Sequence, residues 1–220
     1  MSEVENKCAE VRTLSAKVRQ GGRQSATAFR ELAQKLLAIT VMEQGQRLIL
    51  RPSLRGDAVW VLEGGYRAPL VSDAGMLKLR DGHWLKVGYR LSLTGNNRLA
   101  VTESKIQYQW TDTDHSEVFR YDYAYEAEDQ HPAAHLNLHA LLPEPDGPGG
   151  PGWPLERVHF PTGRTSLEQV LRLLVQGFNV PPARPSEVWE PVLAEAERMF
   201  YEVAHQPGFA SAAAAGSTRG

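Results

Sequence analysis

Apolar positions in this chain recur at two periods, and the change from one to the other separates helical ends from a β-rich middle. Val4, Cys8, Val11, Leu14 and Val18 fall at spacings of four, three, three and four, which places them on one stripe of a helix over about residues 2–19. Gly21-Gly22 ends that helix, and Ser25 is expected to cap a second one with Phe29, Leu32, Ala33, Leu36 and Leu37 on its apolar side. The first helix has two readings: one arm of a helical hairpin, or a narrow coiled-coil seam that projects and pairs with a second chain.

From Arg47 the period becomes two. LILRP and AVWVLE are short apolar runs, and LKVGYRLSLTG alternates with Leu85, Val87, Tyr89, Leu91 and Leu93 inward and Lys86, Arg90, Ser92 and Thr94 outward. Gly95-Asn96-Asn97 reads as a hairpin turn. The return strand carries Leu99 and Val101 on one parity but Ile106, Tyr108 and Trp110 on the other, which predicts a bulge near 103–105 and an inward Trp110. Three further strand-like pieces follow, EVFRYDYAYE, HPAAHLNLHALL and LERVHFPTGR, with PEPDGPGGPGWP read as a flexible loop between the last two. Thr165 or Ser166 then caps a helix bearing Leu167, Val170, Leu171, Leu174 and Phe178, and a last helix starts near Ser186.

No helix-length segment separates successive strands, so parallel crossovers are excluded. The expectation is an α+β fold: an antiparallel sheet of about six strands with helices from both chain ends packing on one face. Residues 1–22 read as an N-terminal helix serving oligomerisation or partner binding, 23–205 as a single α+β domain, and 206–220 as a disordered tail.

Composition narrows the function classes. A net charge of -2 over 220 residues supplies no global field for polyanions, so nucleic-acid contact would need a local patch. One cysteine, Cys8, excludes a disulfide framework and a thiolate metal cluster. With neither a signal-peptide pattern nor an apolar run of membrane length, the expected setting is cytoplasmic, with no membrane partner.

The candidate chemistry lies between Glu117 and Arg164. Alternation puts Arg120, Asp122 and Glu126 on one face of their strand, His135, Asn137 and His139 on one face of the next, and Arg157 with His159 on the third, while Phe119, Tyr121, Tyr123, Leu136, Leu138, Val158 and Phe160 take the opposite phase. If the apolar phases share a core, the polar ones share an outer face. Such a face can run metal-independent phosphoester cleavage: His135 and His139 as acid and base, Asp122 orienting an imidazole, His159 as a further proton-transfer group, Arg120, Arg157 and Arg164 as phosphate clamps, and Asn137 as a ligand contact. A second chemistry needs no cofactor change but a divalent metal, held by His135 and His139 with Glu126, Asp122 or His159. A third reading is plain cross-strand ion pairing, Arg120 with Asp122 and Arg157 with Glu126, worth about 0.2–1 kcal/mol each. PTGR at 161–164 reads either as an anion-holding turn or as an ordinary capped one, and His83, His115 and His205 read as turn or helix-end residues.

The order of an Arg120-Tyr121-Asp122 strand, a histidine-bearing segment with His131 and His135, an arginine-bearing segment and the helix SLEQVLRLLVQGF resembles the TumE-like toxin proteins of bacterial toxin–antitoxin systems, over roughly residues 85–179. The resemblance implies a toxin- or defence-associated protein acting on RNA or another nucleic acid or nucleotide, partnered by an antitoxin or a larger defence complex. Without it, the residues support either the phosphate-ligand site or a noncatalytic interaction subunit that assembles through its N-terminal helix.

Overall fold

The computed structural model describes residues 2–53, 59–65, 75–113, 116–125, 132–142, 153–155 and 158–204. Helices α1 (Glu3–Gln20) and α2 (Arg23–Ile39) come first, and α3 (Leu167–Gln176) and α4 (Ser186–Ala204) last. Between them lie β1 (Leu48–Pro52), β2 (Val59–Gly64), β3 (Met76–Lys78), β4 (Trp84–Leu93), β5 (Leu99–Gln109), β6 (Glu117–Ala124), β7 (Ala134–Leu138), β8 (Leu141–Leu142), β9 (Trp153–Pro154) and β10 (Phe160–Pro161). This is the α+β arrangement that the alternation predicts.

The main sheet is antiparallel and has eight strands rather than about six, ordered β1-β2-β4-β5-β6-β7-β10 with β3 also on β4. The member that alternation does not announce is β3, three residues long. The segment LERVHFPTGR, read as strand-like, contributes Phe160–Pro161 to the sheet among its described residues, and β8 and β9 pair separately at the two ends of the proline-glycine loop.

One face of the sheet carries the core. Leu85, Val87, Tyr89 and Leu91 of β4, Ile106 and Tyr108 of β5 and Phe119 of β6 join Leu36 and Leu37 of α2, Leu171 and Leu174 of α3 and Leu193 of α4 in one buried cluster. At roughly 1.5–3 kcal/mol for each fully buried large apolar side chain, this face dominates the folding energy. Val11 of α1 belongs to the same cluster, and Glu10 pairs with Lys35 of α2 while Arg12 reaches Glu195 of α4, so α1 lies against its neighbours as in the hairpin reading.

Capping at α3 falls on Ser166, one of the two expected residues, and α1 is capped by Ser2, which periodicity alone places at the helix start. Ser2 with Glu5, and Ser166 with Gln169, each form a reciprocal capping box. The expected cap fails at α2: Gly22, not Ser25, precedes the first helical residue, and Ser25 Oγ donates back to the Gly22 carbonyl at 2.5 Å. Gly21 and Gly22 both have positive φ, 77° and 74°, and a side chain at Gly21 would collide with the Asn97 carbonyl of the β4–β5 turn. Among the described residues, no helix is long and apolar enough to cross a membrane.

Candidate functional site

The outer face of the sheet is organised in rows that run across the strands. Residues paired across antiparallel strands project together, so one row reads Lys86, Gln107, Arg120, Asn137, and the next reads Gly88, Lys105, Asp122, His135. A third holds Trp84, Gln109 and Glu117. Strict alternation along β6 would put Glu117 with Phe119 on the core side. The register steps between Tyr108/Phe119 and Gln109/Glu117, so Val118 is the extra residue of a bulge and Glu117 turns outward. The predicted bulge of β5 is present as well, with Thr102 as the extra residue opposite the Arg90/Leu91 step.

These rows build a hydrogen-bonded ladder. His139 Nε2 donates to Glu117 Oε2 at 2.7 Å, Arg120 Nη1 reaches the same oxygen at 3.2 Å, and Arg120 Nε donates to Asp122 Oδ2 at 2.6 Å. Asn137 Nδ2 donates to that Asp122 oxygen at 3.0 Å. Asn137 is 1% exposed, and its Oδ1 is buried without a hydrogen-bond partner among the described residues. Gln107 and Gln109 are buried beside it and bonded to each other at 2.7 Å. Around this ladder the outer face is a half-buried polar layer in which charges are matched side by side, while Glu103 and Lys105 of β5 stay exposed.

His135 occupies the end of the second row. Its Nδ1 lies 3.0 Å from the Pro132 carbonyl, which can only accept, so Nδ1 carries the proton and Nε2 is the acid–base atom. Nε2 sits 3.6 Å from Asp122 Oδ2, and the His159 ring meets the His135 ring edge-on with centroids 4.6 Å apart. At the other end of this row, beyond Asp122 and Lys105, Gly88 contributes no side chain. The gap is a cavity of about 330 Å³ floored by Gly88 and bounded by Arg90, Glu103, Lys105, Asp122 and His135. Its size is at the lower end for small-ligand sites. Arg90 Nη1 is held by Glu103 at 2.7 Å, whereas the described residues place no carboxylate in ion-pair range of Lys105.

Some of the sequence-predicted residues meet and others do not. His135, Asp122, Asn137 and His159 are together. His139 lies four residues from His135 along the chain, about 13 Å at strand spacing, too far to share one scissile bond or one metal ion. Its Nε2 is already committed to Glu117. Arg120 is on the face, with Nε on Asp122 and Nη1 on Glu117, so these two donors hold the ladder together. Arg164 is on the other side of the sheet: its guanidinium carbon stands 4.5 Å over the ring of Tyr123, a core-phase residue of β6. Arg157, Glu126 and His131 lie outside the described residues, as do His115 and His205. Among the described residues, no group of three or more His, Cys, Asp or Glu is placed to hold a metal ion.

The sequence reading passes over Gly88, Arg90, Glu103, Lys105 and Glu117. A glycine in the polar phase of a well-alternating strand is itself a signal of an opening or a close approach, and it was available in LKVGYR. His83 also does more than its turn position implies: Nδ1 is 2.8 Å from both Asp81 Oδ2 and the Tyr108 hydroxyl. Burial, and then the Asp81 carboxylate, hold the Tyr108 phenol far above its ordinary range, so it remains a donor that pins the turn. Trp110, expected inside, is 52% exposed and packs edge-on against His83. No protein-family model, curated protein or solved structure matches this chain.

Proposed function

We propose that the cavity over Gly88 binds a phosphate-bearing ligand, with RNA or a nucleotide as the substrate class, and that His135 moves the proton in a metal-independent phosphoester cleavage. The observation that carries this reading is a single one: an imidazole whose reactive nitrogen is set by the Pro132 carbonyl opens on a cavity lined by Lys105 and Arg90. Lysine and arginine are the cations that bind phosphoryl oxygens, and here they replace the arginines that the sequence suggested. His135 Nε2 takes the proton of an attacking hydroxyl, Asp122 favours the resulting imidazolium, and that imidazolium returns the proton to the leaving oxygen, while His159 braces the His135 ring edge-on. The resemblance to TumE-like toxins supports nucleic acid as the ligand and a toxin- or defence-associated role.

A second reading is a noncatalytic docking surface of a larger assembly. What favours it is the ladder from His139 to Asp122, where the carboxylates are matched internally by His139, Arg120 and Asn137. Purified full-length protein incubated with a fluorescein-labelled RNA oligonucleotide in EDTA separates the two. Cleavage by the wild type and its loss in His135→Gln, with RNA binding retained, supports the catalytic reading. Binding without cleavage in both proteins supports docking, and neither binding nor cleavage removes the phosphate-ligand assignment.

A further inference from the structure

The opposite side of the sheet holds a second cavity, between α1, α2 and the strands, closed at one end by residues 164–168. Its volume is about 120 Å³. That is in the class of the roughly 150 Å³ apolar cavity that accepts benzene. Phe29, Leu32, Ala33, Leu36, Leu99 and Val101 form apolar walls.

Ser15 is 4% exposed and lines the cavity, and its Oγ has no hydrogen-bond partner among the described residues. Arg164 is held only by aromatic faces, 4.5 Å from the Tyr123 centroid and 5.4 Å from that of Phe200, with no carboxylate partner among the described residues. Burial lowers its pKa, yet guanidinium remains a cation at any ordinary pH. Glu168 is 5% exposed, and burial pushes its carboxyl upward toward the protonated form. The Tyr89 phenol is likewise pushed up, first by burial and then by the Glu168 carboxylate, while Arg164 acts the other way, so all three groups are within electrostatic reach. The Arg164 guanidinium and the Ser15 hydroxyl are donors with no acceptor among the described residues, whereas Glu168 already accepts from Ser166 and from its own backbone N–H. A fixed cation and a free donor at the wall of an apolar hole suit an acceptor-rich anion with an apolar body.

From this geometry we infer that the helix-side cavity binds a small monocarboxylate, its carboxylate on Arg164 and Ser15 and its apolar body, about one ring in size, against Leu32 and Leu36. The site does not rest on the phosphate-ligand reading: Arg164, Ser15, Leu32 and Leu36 do not line the cavity over Gly88, although Tyr89 and Ser104 border both.

Phenylacetate is the probe, with its neutral isostere phenylacetamide as control, both titrated into the full-length protein by NMR. The expected result is intermolecular NOEs from the phenyl ring to Leu32 and Leu36 methyl groups, and binding of the acid at least tenfold tighter than the amide. Arg164→Met is expected to erase that preference, and Ala33→Phe, which fills the apolar end, to abolish binding of both. Equal affinity for acid and amide, contacts only to residues outside the cavity, or no binding overturns the assignment. The acid–amide comparison on the wild type decides the matter even where a variant fails to fold.

Discussion

Gly88→Val is expected to make the protein more stable and less able to bind its ligand, two effects of opposite sign from one residue. Gly88 has ordinary strand geometry, and a Cβ added to it would meet only the Lys105 carbonyl oxygen, at 3.9 Å, which is normal van der Waals contact. Nothing needs to move. Removing a glycine from a strand interior recovers about 0.5–1 kcal/mol of backbone entropy. A β-branched side chain on a pleated surface adds to that gain within a scale of about 1 kcal/mol. For a chain of this length, 1 kcal/mol corresponds to a rise in melting temperature of about 2–4 °C. The valine methyl groups meanwhile occupy the floor of the cavity of about 330 Å³, where the ligand phosphate would approach Lys105 and His135. Binding should fall at least tenfold, about 1.4 kcal/mol. Thermal unfolding gives the first quantity, and fluorescence anisotropy with the labelled RNA oligonucleotide gives the second. A variant that melts higher and still binds RNA with unchanged affinity would show that the cavity is not the site. A variant that loses more than about 1 kcal/mol would show that the open space assigned to Gly88 is wrong.

Two further predictions test the groups on either side of the sheet. Asp122→Ala removes the acceptor shared by Arg120 and Asn137, and hydrogen bonds to a charged group are worth about 1.5–3 kcal/mol each. With both Asp122 and Arg120 about a fifth exposed, the expected loss in urea denaturation is about 2–4 kcal/mol, and a loss below about 1 kcal/mol would reduce the ladder to screened surface pairs. Glu168→Gln should stabilise the protein at pH 8 but not in acid. The Glu168 carboxyl is pushed up in the folded state, so both states hold the proton at low pH; stability is then lost as pH rises past the unfolded value and the folded form must ionise in its buried site. Urea midpoints of the two proteins that differ equally at pH 4 and pH 8 would contradict that account.

Local chemistry announced the long elements of this protein and left out the short strand β3 and the start of α2. The stripe of α1, a cap at Thr165 or Ser166, the alternation of β4 and the polar phase from Arg120 to His139 are properties of single segments, read from period and from residue type. Tertiary structure decided which of those segments' side chains meet. Bulges at Thr102 and Val118 reset which side chains face out, and the second one brings Glu117 into the ladder against its parity. Pairing of β4 with β5 aligns Gly88 with Lys105 and so opens a cavity that neither strand reveals by itself. Arg164, adjacent in sequence to the histidine segment, ends on the other side because its guanidinium stacks on Tyr123 of the core phase. The physical reason is the same in each case: periodicity is a property of one strand, whereas register, bulge position and the side to which a loop residue turns are set by the partner strand and by the layer packed on it.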